Sequence, residues 1–191
     1  MSNVATPGPS GHTYLDFNTP LSDRRAATLV AGLGPIVDSS VLDLGCGWAE
    51  LLLRILAAEP TATGVGIDND TEHVRAGGVV LVGDGIWSVP PTDAALAALD
   101  AAPDDFLTFA ALVDAAMTAG FRVLAAEEAD RDEWDDFESR WCAGRERWLL
   151  ANPAAPETDE VRAAVDRHRA GWLHGYRGVL GFAYLTLVAD R

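Results

Sequence analysis

Residues 41–50 read VLDLGCGWAE, and this stretch decides the fold. Residues 41–44 form a short apolar run, two glycines follow at positions 45 and 47, and from Trp48 apolar residues recur at helical spacing until Pro60. Residues 63–67 (TGVGI) indicate a second strand that ends at Asp68-Asn69-Asp70. Strand, glycine turn, helix and strand make a βαβ unit, which predicts an α/β fold with a parallel sheet.

The rest of the chain supplies further elements of the same class. We predict, in order, a helix capped by Ser22, a third strand at 79–82, helices at 93–100 and 104–119, a fourth strand at 121–126 and a fifth at 182–188. The helix at 104–119 is expected to bury a stripe made of Phe106, Phe109, Leu112, Val113 and Met117.

An insert of two helices, divided at Asn152-Pro153, is predicted between the last two strands. Its first helix places Trp134, Phe137, Trp141 and Trp148 on one side, and its second does the same with Val161, Val165, His168, Trp172 and Tyr176. The six acidic residues between Asp130 and Glu138 are interpreted as a solvated helix face.

Charge and cysteine content exclude several classes of protein. The 191 residues carry a net charge of −15, and every basic residue is Arg, so the surface repels nucleic acid and anionic membranes. No apolar run is long enough to span a membrane, and the start lacks the apolar stretch of a leader. Two cysteines without a CxxC pattern indicate neither a metal site nor a disulfide framework. We expect a cytoplasmic protein with a small-molecule partner and no metal; a homodimer is left open.

The glycine turn has two interpretations, because both dinucleotides and other nucleosides bind after the first strand of a βαβ unit. The dinucleotide pattern GxGxxG needs a small residue at its sixth position, where this chain has Glu50. A carboxylate there also opposes a pyrophosphate at the helix N-terminus. An NAD-linked oxidoreductase is therefore disfavoured.

The pattern Asp43-Leu44-Gly45-Cys46-Gly47 resembles motif I of the class I S-adenosylmethionine-dependent methyltransferases. The resemblance continues in residues 12–25, which are similar to the family's N-terminal lid, and in residues 75–82, which are similar to its fifth strand. It implies a Rossmann-like, doubly wound, mostly parallel sheet with helices on both faces and a helical insert before the last strand. We expect a single domain over 1–191, with the lid and first helix at 1–35 and the insert at 130–177.

The resemblance also assigns a cofactor, S-adenosyl-L-methionine, and its contacts. In the family the DxGxG turn lets the backbone approach the methionine part of the cofactor, and the acid orients its amino group, a role that falls here to Asp43. An acid at the end of the second strand holds the ribose hydroxyls, and Asp68 stands 23 positions after Gly45. The expected cofactor-binding residues are Asp43, Gly45, Cys46, Gly47, Asp68 and Asn69.

One departure from the family is large. The family has two further strands and their helices between its second and fifth strands, whereas only residues 71–78 intervene here. A crossover between parallel strands needs about a dozen residues or more. We therefore predict that the chain is interrupted between Asp70 and Gly78, near Val74-Arg75, or else that the fold is shortened.

Catalytic residues cannot be carried over to the absent strands, so the acceptor side depends on weaker signals. Tyr14 in the presumed lid, Trp87 after the third strand, and His168 and Trp172 in the insert are candidate substrate contacts, although packing is the favoured explanation of each. The sequence thus favours a methyltransferase acting on a small molecule. A cofactor-binding pseudoenzyme or regulatory protein is the alternative, followed by an NAD-linked oxidoreductase.

Overall fold

The computed structural model describes residues 14–44, 46, 49–67 and 79–189. The elements of this part of the chain are α1 Asp23–Gly32, β1 Ser40–Leu44, α2 Glu50–Ala58, β2 Thr63–Ile67, β3 Val79–Trp87, α3 Asp93–Leu99, β4 Leu107–Thr108, α4 Phe109–Thr118, β5 Phe121–Glu128, α5 Arg131–Ala151, α6 Thr158–Gly171, a π-helical turn Trp172–Tyr176 and β6 Leu180–Ala189. Helices and strands are mixed along the chain, which confirms the predicted α/β class.

The chain divides into two compact units. Among the described residues, unit 1 contains 14–15, Gly85–Thr108 and Asp130–Gly181, so it holds the helical insert. Unit 2 contains the other described residues and therefore the predicted βαβ unit.

In unit 2, β1 and β2 form a parallel pair in continuous register from Ser40↔Thr63 to Leu44↔Ile67. The helix between them, α2, packs on β2 at Gly64, where a side chain would meet the ends of Leu52 and Leu56 within 3 Å. Strand β2 has the predicted bounds, and α1 begins at the predicted cap, whose Ser22 Oγ accepts from the Arg25 N–H at 3.2 Å.

A second sheet has the strand order β4-β3-β6-β5. In unit 2, β5 and β6, which contain the predicted fourth and fifth strands, pair antiparallel from Phe121↔Ala189 to Glu128↔Ala183. Residues 183–187 of β6 are all buried, because this strand has a neighbour on each side and covered faces.

Within the described residues, β1 and β3 do not belong to one sheet. In a six-stranded Rossmann sheet the fourth strand lies between the first and the fifth, so a fold without that strand is expected to divide there. The crossover predicted to be interrupted, Asp70 to Gly78 with Val74-Arg75, lies outside the described residues, and that point stays a prediction.

In unit 1, α5 and α6 are joined by a short connection and pack along one another around Cys142, Leu149, Val161 and Val165. Trp141 and Trp148 of the predicted first stripe pack against this cluster, whereas Trp134, Trp172 and Tyr176 belong to a second cluster around Ala95. A capping box starts α5: Asp130 Oδ1 accepts from the Glu133 N–H at 2.9 Å, and Glu133 Oε2 accepts from the Asp130 N–H at 3.0 Å.

Three sequence predictions were wrong in detail. Strand β3 continues to Trp87 instead of ending at position 82. The helix predicted at 104–119 begins only at Phe109, because Leu107–Thr108 pairs with the end of β3 and Asp105 Oδ2 holds the Ala102 N–H in a turn at 2.8 Å. Helix α4 contains no buried residue, and Met117 is exposed.

The acidic run was also misread. Glu133 and Glu138 are buried, whereas the sequence predicted a solvated face. Glu133 is buried because it completes the capping box, and Glu138 because it lies on the aromatic stripe of α5. No described helix is both long and apolar enough to cross a membrane.

Candidate functional site

Asp43 is the next-to-last residue of β1, paired in register with Gly66 of β2. Its carboxyl group is half-buried, and burial raises its pKa above the ordinary value for Asp. No donor among the described residues bonds this carboxylate. A half-buried carboxylate without a donor is unfavourable, and a cation placed against it would reverse that cost.

The turn after β1 leads into α2 through Cys46 and Ala49. The Ala49 N–H donates to the Cys46 carbonyl at 2.7 Å, and Ala49 has φ of 63°, a left-handed conformation that reverses the chain direction. Ala49 is the N-cap residue of α2 and its side chain has no hydrogen-bonding group, so it accepts no bond from the N–H groups of the first turn. Gly45 and Gly47 lie outside the described residues, as do Asp68 and Asn69.

Glu50, which argued against a dinucleotide, forms an ion pair one turn along α2. Its Oε1 accepts from Arg54 Nε at 2.8 Å, and Arg54 Nη1 donates to Asp23 at 2.6 Å. The charge of Glu50 is thus largely compensated. Its bulk at the position that needs a small residue remains the stronger argument against a dinucleotide.

The N-terminal segment is held to unit 2 from Phe17 onward. The Arg54 guanidinium lies 4.5 Å from the centre of the buried Phe17 ring. Further along, Thr19 and Tyr184 share a hydrogen bond of 3.3 Å between their hydroxyls. Arg25 Nη1 donates to Glu127 Oε2 at 2.5 Å. Residues 17–25 of the predicted lid therefore have specific partners within unit 2.

Two candidate substrate residues of unit 1 have their own packing partners. The buried Trp87 ring meets Phe106 edge to face at 5.0 Å, and its N–H donates to the Pro103 carbonyl at 2.8 Å. Tyr14 is exposed, with the Arg147 guanidinium 4.7 Å from its ring centre. These contacts account for packing; contact with substrate stays a prediction for both residues.

His168 and Trp172 lie on adjacent turns of unit 1. His168 Nε2 is 2.5 Å from Glu138 Oε2, and its ring stacks on Trp141 with centres 3.6 Å apart. Trp172 is buried in a cluster with Ala95 and Tyr176. His168 and Trp172 are four residues apart in the chain and each has packing partners of its own, so contact with substrate stays a prediction for both.

The sequence analysis missed Glu138 because it treated the whole acidic run as one solvated face. That interpretation holds for most of the other acidic residues of the run, which are exposed. A signal was present: Glu138 follows Trp134 by four residues and precedes Trp141 by three, the spacing of one helix face. An acid on an aromatic stripe is a candidate for a buried, bonded carboxylate. Across the described residues, no cluster of three or more acidic, His or Cys side chains could hold a metal ion.

Comparison with known proteins gives one curated relative and several similar structures, while no family model matches. The relative, the uncharacterized protein YjhP of Escherichia coli (strain K12), is 31% identical over 121 residues, or 62% of this chain and 48% of the relative. The chain thus spans about half the length of the curated relative it matches.

The crystal structure of YjhP from E. coli superposes with a TM-score of 0.82 at 22% identity, over 94% of this chain and 98% of that one. A methyltransferase from Geobacter sulfurreducens in complex with S-adenosyl-L-homocysteine gives 0.81 at 22% identity, over 94% and 96%. One from Thiobacillus denitrificans, also in complex with S-adenosyl-L-homocysteine, gives 0.79 at 21%, over 94% and 96%. The resemblance found in the sequence is therefore confirmed for the fold: this chain has the class I, Rossmann-like fold of the S-adenosylmethionine-dependent methyltransferases.

Proposed function

We propose that the chain binds S-adenosyl-L-methionine at the turn after β1 and transfers its methyl group to a small-molecule acceptor. The observation that carries this proposal is Asp43. Its half-buried carboxylate has no donor among the described residues and lies one residue before the end of β1, where the two glycines of the motif follow in the sequence. The ammonium group of the cofactor is the cation that such a carboxylate requires.

The chain's own groups suit this cofactor better than a dinucleotide. S-adenosylmethionine carries an ammonium and a sulfonium and no phosphate, so a protein of net charge −15 attracts it and repels a pyrophosphate. Two structural neighbours were crystallised with S-adenosyl-L-homocysteine, the product of the same cofactor.

The remaining cofactor contacts follow from the motif. Because Gly45 and Gly47 have no side chains, the backbone at these positions and at Cys46 between them can approach the methionine part of the cofactor. Asp68 accepts hydrogen bonds from the ribose hydroxyls, and Asn69 is the next residue in the sequence. When bound, the cofactor supplies a methyl group on a positively charged sulfur, which leaves by in-line displacement. The chain's contribution to that step is alignment and exclusion of water.

We assign the acceptor side to residues of unit 1, with Tyr14, Trp87, His168 and Trp172 as its contacts. His168 and Trp172 have the stronger support. Each presents a polar nitrogen that no described residue bonds, Nδ1 of His168 and the indole N–H of Trp172.

Calorimetry with S-adenosyl-L-homocysteine tests the cofactor assignment. A buried, charge-assisted contact contributes about 1.5–3 kcal/mol, so Asp43→Asn should weaken binding by about tenfold to a hundredfold. Asp68→Ala should weaken it to a similar degree. The control is Asp38→Asn, which changes an exposed acid just before β1 and should leave affinity as it is. Tighter binding of NAD, or full affinity in Asp43→Asn, would contradict the assignment.

One observation supports a second candidate, a cofactor-binding protein without catalysis. The described sheet divides between β1 and β3, where the Rossmann order places a fourth strand. In the family that strand's end faces the methyl acceptor. Formation of S-adenosyl-L-homocysteine from the cofactor in the presence of an acceptor mixture would favour the enzyme. Cofactor binding without turnover would favour the second candidate.

A further inference from the structure

Helix α2, which follows the turn after β1, begins without the side-chain bond that starts several other helices. The helices α1, α3 and α5 begin at Ser22, Thr92 and Asp130, whose side-chain oxygens accept from the N–H three residues further along. The N-cap of α2 is Ala49, which has a left-handed conformation and makes no such bond. Alanine is a poor N-cap, so the first turn of α2 needs another support.

Arg54 supplies that support from two directions. Within α2, its Nε donates to Glu50 Oε1 at 2.8 Å, in a pair one helical turn apart with the acid on the N-terminal side. Outside α2, its Nη1 donates to Asp23 Oδ1 at 2.6 Å, and its guanidinium lies 4.5 Å from the centre of the buried Phe17 ring. The bonds to Glu50 and Asp23 raise the pKa of Arg54, so it stays charged. One side chain thus joins the first turn of α2 to residues 17–25.

Residues 17–25 also contact the closing strands β5 and β6 of the same unit. The hydroxyls of Thr19 and Tyr184 share a hydrogen bond of 3.3 Å, and Arg25 Nη1 donates to Glu127 Oε2 at 2.5 Å. The Arg25 guanidinium lies 5.8 Å from the centre of the Tyr184 ring. In the described part of the chain, β1-β2 and the strands β5 and β6 belong to separate sheets. Residues 17–25 therefore connect the start of α2 to the closing strands through side-chain bonds.

The start of α2 is bonded in turn to the turn after β1. The Ala49 N–H donates to the Cys46 carbonyl at 2.7 Å, and the Ala49 carbonyl accepts from the Leu53 N–H at 2.9 Å in the first bond of the helix. A change in the position of the first turn of α2 is therefore transmitted to Cys46. Binding to a turn that is already ordered costs less conformational entropy than binding to one that must be ordered.

We propose that Arg54 is a positioning residue for the turn after β1, and that through it the docking of residues 17–25 and the binding of the cofactor stabilise each other. This coupling rests on the proposed function, and Arg54 itself need not touch the cofactor. Coupling of this kind is reciprocal: if docked residues 17–25 raise the affinity for the ligand, the ligand strengthens their docking by the same factor.

Calorimetric titration with S-adenosyl-L-homocysteine tests the first half of the coupling. Arg54→Gln removes the charge that joins Glu50 to Asp23 and should lower the affinity by about tenfold. Arg54→Lys keeps the charge without the planar fork and should give an intermediate affinity. The control is Arg122→Gln, which changes an exposed arginine on β5 of the same unit and should bind as wild type. Equal affinity of Arg54→Gln and the wild-type chain would overturn the proposal.

Amide hydrogen exchange separates positioning from a purely structural role. In the wild-type chain, saturating S-adenosyl-L-homocysteine should slow exchange in residues 17–25 as well as at the start of α2. In saturated Arg54→Gln, the slowing should remain at the start of α2 and be lost in residues 17–25. Unchanged exchange in the centre of α5 shows that the variant is folded. If the ligand slows residues 17–25 equally in both proteins, Arg54 does not carry the coupling.

A double-mutant cycle identifies the path through which Arg54 acts. Asp23→Asn removes the charge of its partner on α1 and should lower the affinity for S-adenosyl-L-homocysteine several-fold. In the Arg54→Gln background the same substitution should have no further effect. Independent, additive losses would show that Arg54 does not act through residues 17–25. If the ligand binds the wild-type chain and these variants equally, the coupling alone fails; if it does not bind the wild-type chain, the proposed function fails and the coupling with it.

Discussion

The helical insert of unit 1 and the β1–β2 region of unit 2 differ in how completely their apolar side chains are buried. In the insert, Val161 and Val165 are completely buried and the buried carboxylate of Glu138 has two partners. In the β1–β2 region, Leu42 and Val65 are exposed, although parallel strands are normally covered on both faces. The region that carries the motif thus has the weaker core. We therefore expect a bound ligand to stabilise the cofactor region more than the insert.

The largest effect should come from the core of the insert. Leu149→Ala removes a side chain that packs with Cys142, Val161 and Val165, and should lower the free energy of unfolding by about 3 kcal/mol. Leu150→Ala is the matched control, since Leu150, the next residue of the same helix, is 82% exposed and its substitution should change stability little. Urea unfolding followed by tryptophan fluorescence measures both. Equal effects of the two substitutions would mean that the insert lacks the tightly packed core on which its contrast with the β1–β2 region depends.

Ligand should strengthen the cofactor region and leave the insert unchanged. At a hundredfold excess over its dissociation constant, S-adenosyl-L-homocysteine stabilises the state that binds it by about 2.7 kcal/mol. Amide hydrogen exchange should therefore slow in β1, β2 and the start of α2. Exchange in the centres of α5 and α6 should stay as it is. Uniform slowing over both units would show that the two regions are not energetically separate.

Two glycines sharpen the comparison within unit 1. A Cβ at Gly175 would lie 2.5 Å from Ala98 Cβ and 3.1 Å from the Ala94 carbonyl, so Gly175→Ala should cost about 2 kcal/mol. At Gly171 the nearest atom is 3.5 Å away, and Gly171→Ala should instead stabilise α6 by up to about 1 kcal/mol. Thermal unfolding of the pair gives the sign of each change. Destabilisation by both would mean that the helix approaches α3 more closely than the structure shows.

Much of the fold could be predicted from periodicity and caps. Ser22 caps α1 as expected, and β2 has the predicted bounds, since both depend on residues next to each other in the sequence. The helix at 104–119 failed at its start because Leu107 and Thr108 pair with a strand distant in sequence. Tertiary pairing of this kind overrides local propensity and leaves no local pattern.

The candidate site was predictable only in part, for a related reason. Asp43 and the glycines are consecutive and could be recognised as a motif. The hydrogen bonds of Glu138 are made with residues 30 and 38 positions away in the sequence, so no local pattern predicts them. The acidic residues around Glu138 predict an exposed face instead. A carboxylate on an aromatic stripe was the one local sign of its burial.

The smallest expected effect concerns Asp43, where binding and stability should oppose each other. Burial raises the pKa of this carboxyl in the folded chain, so its contribution favours the folded state at low pH and is lost as pH rises through that pKa. At neutral pH the ionised group therefore destabilises the chain when no ligand is bound. Asp43→Asn should raise the free energy of unfolding by a fraction of a kcal/mol at pH 7 and leave it nearly unchanged at pH 3.

Unfolding curves of the two proteins at both pH values, with and without S-adenosyl-L-homocysteine, measure this opposition. Without ligand the variant should be slightly more stable at pH 7; with ligand in excess the wild-type chain should be the more stable, because only its carboxylate can pair with the ligand's ammonium. Asp38→Asn, whose acid is exposed, should show neither change. A wild-type chain that is more stable than Asp43→Asn without ligand at pH 7 would mean that a donor already compensates this carboxylate. The cofactor region would then be less dependent on its ligand than the exposed Leu42 and Val65 indicate.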